Sequence, residues 1–246
     1  LAGSGSGNFA VIEQDGAASS QLITVNGGAT VSVTGGGGTT LNTAGISNFG
    51  LAQSILFTAG GALNLQGGSG TGSANAVSIS NEGNGATSQT IAFVGGGAIN
   101  LTGGTVGSNS FAQIDATFGN QTISGNPDIT LIGGASGGSA SRGNVADIII
   151  GLGATSSAGV QTISARNLTL VGGGAGSVEN FALIGAASGE TQIIAASGAV
   201  ALTGGAGADA GAVIGNPGGV GFVPFGNVNI TLNATGPIAL TAGGGA

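Results

Sequence analysis

Nine carboxylates and two guanidinium groups are the charged side chains available for chemistry in this 246-residue chain. The acids are Glu13, Asp15, Glu82, Asp115, Asp128, Asp147, Glu179, Glu190 and Asp209, and the cations are Arg142 and Arg166. Cleavage of a glycosidic bond needs two carboxylates flanking one cleft. The nine are scattered. Asp115 and Asp147 are the pair that a repeat would set on neighbouring strands. With no aromatic sugar platform and no cationic lyase base, the acids read as solvated surface charges. The segment Gly204-Gly-Ala-Gly-Ala-Asp209 resembles the start of a calcium-binding nonapeptide repeat. Gly211 stands where that motif needs a large apolar residue, and the other glycine runs lack the Asp, so a plain loop is the expectation.

The missing residue types exclude more. Cys, His, Met, Trp, Tyr and Lys do not occur. Without Cys there are no disulfides, thiol nucleophiles or zinc thiolates. Without His the commonest general base and transition-metal ligand are gone. The glycine runs are not phosphate loops, because no Gly-Lys-Ser/Thr follows them. A net charge of −7 leaves no basic footprint for nucleic acid. No catalytic, cofactor-binding or metal-ligating residue is therefore assigned, and no cofactor is expected. No apolar run is long enough for a transmembrane helix, and no signal peptide is evident.

The elements that would position any site are repeats. Gly accounts for 56 residues, charged residues for 4% and hydrophobic residues for 41%. That hydrophobic content argues against disorder, and the lack of a Gly-X-Y period excludes collagen. An apolar-x-apolar pattern followed by Gly occurs seven times, 30 to 39 residues apart: Val31-Ser-Val33, Leu63-Asn-Leu65, Ile99-Asn-Leu101, Ile129-Thr-Leu131, Leu168-Thr-Leu170, Val200-Ala-Leu202 and Ile238-Ala-Leu240. A second strand precedes each, six times beginning with Gln: Gln21, Gln53, Gln89, Gln121, Gln161 and Gln192, then Val228. A third strand is expected at Ala10–Ile12, Gly50–Ala52, Val77–Ile79, Ala112–Ile114, Ala146–Ile148, Ala182–Ile184 and Ala212–Ile214. Its first and third residues are placed inward, since the opposite choice would bury Gln113 and Asp147. Two-residue alternation is strand periodicity, and Gly-rich, β-branched segments without a 3.6-residue period exclude helices.

Three short strands per unit of about 35 residues read as a parallel β-helix, an all-β solenoid of about seven coils and roughly 34 Å, continuous over residues 1–246. An Asn column at Asn8, Asn48, Asn75, Asn144 and Asn180, broken by Ser110 and Ala210, is expected at a corner. There Asn tolerates the left-handed conformation and can bond its neighbours as a ladder. Phe9, Phe49, Phe111 and Phe181 form either a corner stack or, with Val11, Leu51, Leu183 and Val213, an exposed contact stripe. Insertions are expected at residues 134–144 and 216–227, the latter a protruding loop with Pro217, Phe222, Pro224 and Phe225. The outward columns beginning at Ser32 and Thr34 are too mixed for a threonine ice-binding lattice. Sequons at Asn100, Asn120, Asn167, Asn229 and Asn233 reflect composition. Both ends fall at the same phase of the coil without a polar cap, which suggests a section of a longer solenoid or a stacking subunit.

The units LTLVGGGAGSVENFALIG and GNQTISGNPDITLIGG resemble the repeats of large secreted bacterial β-solenoid adhesins of the filamentous-haemagglutinin-like type. The likeness spans the chain and rests on repeat style; that family's two-partner secretion domain is not evident. The resemblance implies a right-handed β-helix on a bacterial surface, serving adhesion, biofilm or fibre formation. The expected partners are other copies, end to end or laterally, and surface glycans or host or abiotic surfaces. The alternative is a carbohydrate-binding or carbohydrate-active β-helix.

Overall fold

The structure, a computed structural model, describes residues 5–139, 143–151, 158–216 and 227–244. They form an all-β solenoid with no helix. Each coil contributes one strand to each of three seven-stranded sheets. The first sheet runs from Phe9–Gln14 to Ala212–Gly215, the second from Ser20–Val25 to Asn229–Ala234 and the third from Thr30–Thr34 to Ile238–Thr241. Neighbouring strands are parallel throughout. Seven rungs give six coil-to-coil steps, about 29 Å at the usual strand spacing.

In-register stacking brings like residues together, so the core is a set of columns. The first sheet sends in Ile12, Ile46, Ile79, Ile114, Ile148, Ile184 and Ile214. The third sheet supplies the expected column from Val33 to Leu240. The second sheet answers with Ile23, Ile55, Ile91, Ile123, Ile163, Ile194 and Leu232. Members in the middle coils are fully buried, each worth about 1.5–3 kcal/mol. Phe57 and Phe93 stack within this core at 4.4 Å and 8°.

The glycine after each third-sheet strand is required by close approach. A Cβ on Gly103 would lie 2.0 Å from the Asn144 carbonyl oxygen, and one on Gly133 2.0 Å from that of Asn180. The next glycine donates its N–H to the corner carbonyl of its own coil, as in Gly104 N to Ser110 O at 2.6 Å and Gly173 N to Asn180 O at 2.8 Å. Glycine pairs thus close the corner between the third and first sheets.

Several expectations are corrected. The first-sheet strand of the second coil is Thr43–Asn48, not Gly50–Ala52. Gly45 occupies an outward position there and hides the alternation, while Asn48-Phe49 mimics Asn8-Phe9. The corner column accordingly contains Asn42 in place of Asn48, and Asn48 sits at the exit of the strand, bonding Asn81 at 2.8 Å. The left-handed residue is the one before the Asn column: Leu41, Ala74, Asn109, Glu179 and Asp209 have φ of 51° to 58°. The Asn itself remains free to bond along the axis.

In the strands that begin at Ala112, Ala146 and Ala182 the first and third residues do point inward as expected, yet Gln113 and Asp147 are buried as well, Asp147 completely. The outward face of this sheet is covered over its middle coils, where Ala112–Ala116, Ala146–Ile150 and Ala182–Ala186 are buried on both faces. Leu183 is therefore inaccessible, and the proposed apolar stripe does not form. Phe9, Phe111 and Phe181 share one column, but Thr43, Ala76 and Val145 stand between them and Phe49 lies outside it, so the four do not stack on one another from coil to coil. Part of the 134–144 insertion forms a two-stranded sheet, Gly137–Gly138 with Ser177–Val178. The expected loop around Pro217, Phe222, Pro224 and Phe225 lies outside the described residues, as does Arg142.

Candidate functional site

The side chains that the fold organises most completely are amides. Gln21, Gln53, Gln89, Gln121, Gln161 and Gln192 are the second residues of successive second-sheet strands, point inward and are buried. Each of the last five donates its Nε2 to the Oε1 of the glutamine one coil earlier: Gln53 to Gln21 at 2.9 Å, Gln89 to Gln53 and Gln121 to Gln89 at 2.8 Å, Gln161 to Gln121 and Gln192 to Gln161 at 2.7 Å. The same nitrogens reach first-sheet carbonyls. Gln89 bonds Ile79 O at 3.2 Å and Asp115 O at 2.8 Å, and Gln121 bonds Ile114 O at 3.4 Å and Ile149 O at 3.2 Å. The ladder therefore ties coil to coil along the axis and sheet to sheet across the corner. Buried amides are tolerable only when so satisfied. The ladder stops where Ile230 replaces glutamine, and Gln192 Oε1 has no partner. Sequence reasoning placed these glutamines on strands but missed the ladder; six glutamines at one repeat position were its signal.

The asparagine column has the opposite polarity. Asn8 Nδ2 donates to Asn42 Oδ1 at 2.9 Å, and Asn42 Nδ2 to Asn75 Oδ1 at 3.0 Å. Ser110 N donates to Asn144 Oδ1 at 2.8 Å, and Asn144 N to Asn180 Oδ1 at 2.7 Å. A shorter outward link joins Asn100 to Asn64 at 2.8 Å.

The acids do not converge on one cleft. Asp115 and Asp147 are diagonal neighbours on the covered face, where Gln113 Nε2 meets Asp147 Oδ2 at 3.4 Å and Thr117 Oγ1 meets Asp115 Oδ2 at 2.7 Å. Glu82 accepts from Ser80 at 2.9 Å. Asp128 is held by Arg166 Nε at 2.9 Å and Asn167 Nδ2 at 2.8 Å, which lowers its pKa, chiefly through the Arg166 hydrogen bond. Glu13 is pushed up by its hydrogen bond with Asp15. Glu179 and Asp209 occupy equivalent corner positions in consecutive coils. Glu179 is 6% exposed with Oε2 unpartnered, and burial, then Asp209, raises its pKa. No group of three or more potential metal ligands exists among the described residues, and no described helix is long and apolar enough to cross a membrane.

The first and last described coils have core residues at their outer edges. Ile12 is 57% exposed at the leading edge, formed by the first coil, and Leu240 is 74% exposed at the trailing edge, formed by the seventh. Both belong to columns that are dry in the middle coils. Each end is a shallow apolar recess, of about 280 Å³ beside Ile12 and Val33 and about 510 Å³ beside Ile214 and Leu240. Comparison of the chain with protein-family models, curated proteins and solved structures finds no match.

Proposed function

We propose that this chain is a structural and adhesive module of an extracellular bacterial surface fibre, a stiff rod without catalysis that associates with further coils or copies. The observation that carries the reading is the continuity of the ladders. Three backbone sheets, the glutamine ladder and the aliphatic columns run through successive coils. Tension or bending along the axis is resisted by every rung at once, which suits a spacer that holds binding surfaces away from a cell. The half-buried outward faces of the second and third sheets, rich in Ser, Thr and Asn, would supply weakly polar contact with glycans or surfaces. The carbohydrate-active alternative requires carboxylates that a polysaccharide can reach. Asp115 and Asp147, the pair that the repeat sets on neighbouring strands, are each at most 6% exposed, which disfavours a cleft built on them.

Two measurements test the proposal. Electron microscopy of the native assembly should show filaments or long rods, far longer than the roughly 29 Å that one chain spans, and incubation with surface polysaccharides should release no reducing ends or unsaturated products. Turnover of any polysaccharide, lost in Asp115→Asn or Asp147→Asn, would replace the rod by an enzyme.

A further inference from the structure

We propose that a notch at the corner between the first and second sheets, floored by Gly119 and Asn120, is a binding subsite for one sugar unit of a neutral polysaccharide. The inference gives the glycan contact of the reading above a place, and it rests on the adhesive half of that reading.

The notch lies in the middle coils, where the chain passes from the first sheet into the second-sheet strands Ser88–Phe93, Asn120–Ser124 and Val160–Ala165. Gly85 and Ala86 of the third coil form one wall, and Ala158 and Gly159 of the fifth form the other. Gly119 and Asn120 of the fourth coil lie between them. The volume is about 390 Å³, within the roughly 300–1,000 Å³ of small-molecule sites. No charged side chain lines it.

The backbone ladder is interrupted at this notch. At four steps of the same corner, a backbone N–H bonds the carbonyl just before the strand one coil earlier. These are Ser88 N to Leu51 O at 3.0 Å, Asn120 N to Thr87 O at 2.9 Å, Thr191 N to Gly159 O at 3.1 Å and Asn229 N to Glu190 O at 3.2 Å. Val160 N instead bonds the Asn120 side chain, at Oδ1, at 2.9 Å. The pairing of those two strands accordingly starts one residue late, at Gln121 and Gln161. Gly119 O and Asn120 Nδ2 then make no hydrogen bond among the described residues. Backbone carbonyls away from bulk water are nearly always paired, and Gly119 is half-buried. Gly159 keeps this carbonyl uncovered, since a Cβ there would lie 2.0 Å from Gly119 O. An acceptor and a donor on successive residues match two vicinal hydroxyls, one donating to Gly119 O and the other accepting from Asn120 Nδ2. Glycine and alanine walls offer an apolar peptide side chain no pocket of its own. An uncharged lining in a chain of net charge −7 gives an anion nothing to bind.

Nuclear magnetic resonance titration of the isotope-labelled whole chain tests this with gluco-, manno- and galacto-oligosaccharides, and with galacturonate oligomers as the charged probe. At least one neutral oligomer should bind and shift the Asn120 side-chain amide resonance. Asn120→Asp keeps an acceptor for Val160 N but loses the free donor, and should weaken binding about tenfold, the yield of roughly one hydrogen bond. Ala86→Leu puts a branched side chain into the notch from an exposed position and should abolish binding. Both variants should keep the native far-UV spectrum, because both positions are exposed. Failure of every neutral oligomer to bind the native chain would overturn the subsite, as would a preference for galacturonate. Binding that survives both variants but weakens in Thr130→Val, on the outward face of the third sheet, sinks the notch and keeps the adhesive reading. Filaments that bind no oligomer sink the notch and the glycan contact together and leave the rod standing.

Discussion

Replacing Gln161 by Leu isolates the contribution of the glutamine ladder. Gln161 is fully buried, donates to Gln121 Oε1 and receives Gln192 Nε2, both at 2.7 Å. Leucine fills a similar volume but leaves Gln121 Oε1 without a donor, and Gln192 Nε2 with Ile184 O alone, at 3.1 Å. Orphaning a buried polar group costs about 1–3 kcal/mol, so two come to roughly 2–6. The gain from burying leucine offsets about 1.5–3 of that. The expected net loss centres on about 2 kcal/mol. Gln21→Leu removes only one ladder bond, and Gln53 Nε2 keeps Ile46 O and Ser80 O; its cost should stay below about 1 kcal/mol. In the double variant Gln121→Leu/Gln161→Leu the mutual orphan disappears, so the two losses should fall short of their sum by about 1 kcal/mol or more. Urea unfolding followed by far-UV circular dichroism measures the native chain, the single variants at Gln21, Gln121 and Gln161 and the double variant, with the slope m checked for constancy because repeat arrays can lose cooperativity. If Gln161→Leu costs no more than Gln21→Leu, or if the double variant is additive, the ladder is a packing coincidence and the reasoning fails.

Other expected outcomes follow from single contacts. Gly103→Ala forces a Cβ against the Asn144 carbonyl and should destabilise by about 1–3 kcal/mol; Gly37→Ala, whose Cβ meets only the Ser69 hydroxyl at 3.3 Å, should stay within about 0.5 kcal/mol in the same assay. Phe57→Ala empties a buried site beside Phe93 and should cost about 3–5 kcal/mol, read as a lower melting midpoint. The raised pKa of Glu179 means that the folded state binds its proton more tightly than the unfolded chain does. Its contribution is therefore most favourable below the ordinary value of 4.5 and is lost as pH rises through the folded pKa. Glu179→Gln should accordingly raise the melting midpoint at neutral pH, with the difference shrinking in acid. Arg166→Ala should change stability by less than about 1 kcal/mol, since its pair with Asp128 is exposed, and that effect should fade in high salt.

The architecture was legible in the chain because stacking in register converts sequence period into spatial column. Leu65, Leu101, Leu131 and Leu170 share one column, and the six glutamines recur at one position for the same reason. Where the period wavers, phase is lost. Asn48-Phe49 copies the look of Asn8-Phe9, and only the pairing of Ile46 with Ile12 and Ile79 shows that the second coil turned earlier. No local pattern could reveal that Asp147 and Leu183 are buried, because alternation along a strand marks a face as outward but not as exposed.

What the sequence determined by itself is the class of fold, its three strands per coil, the aliphatic core and the lack of cysteine and histidine chemistry. Each follows from residue type and spacing alone. What the tertiary structure decided is where the left-handed corner falls, which side chains are hidden on the outward face, and the opposite directions of the two amide ladders. These depend on hydrogen bonds and contacts between residues some 30 to 40 positions apart, which a linear pattern can suggest but cannot orient.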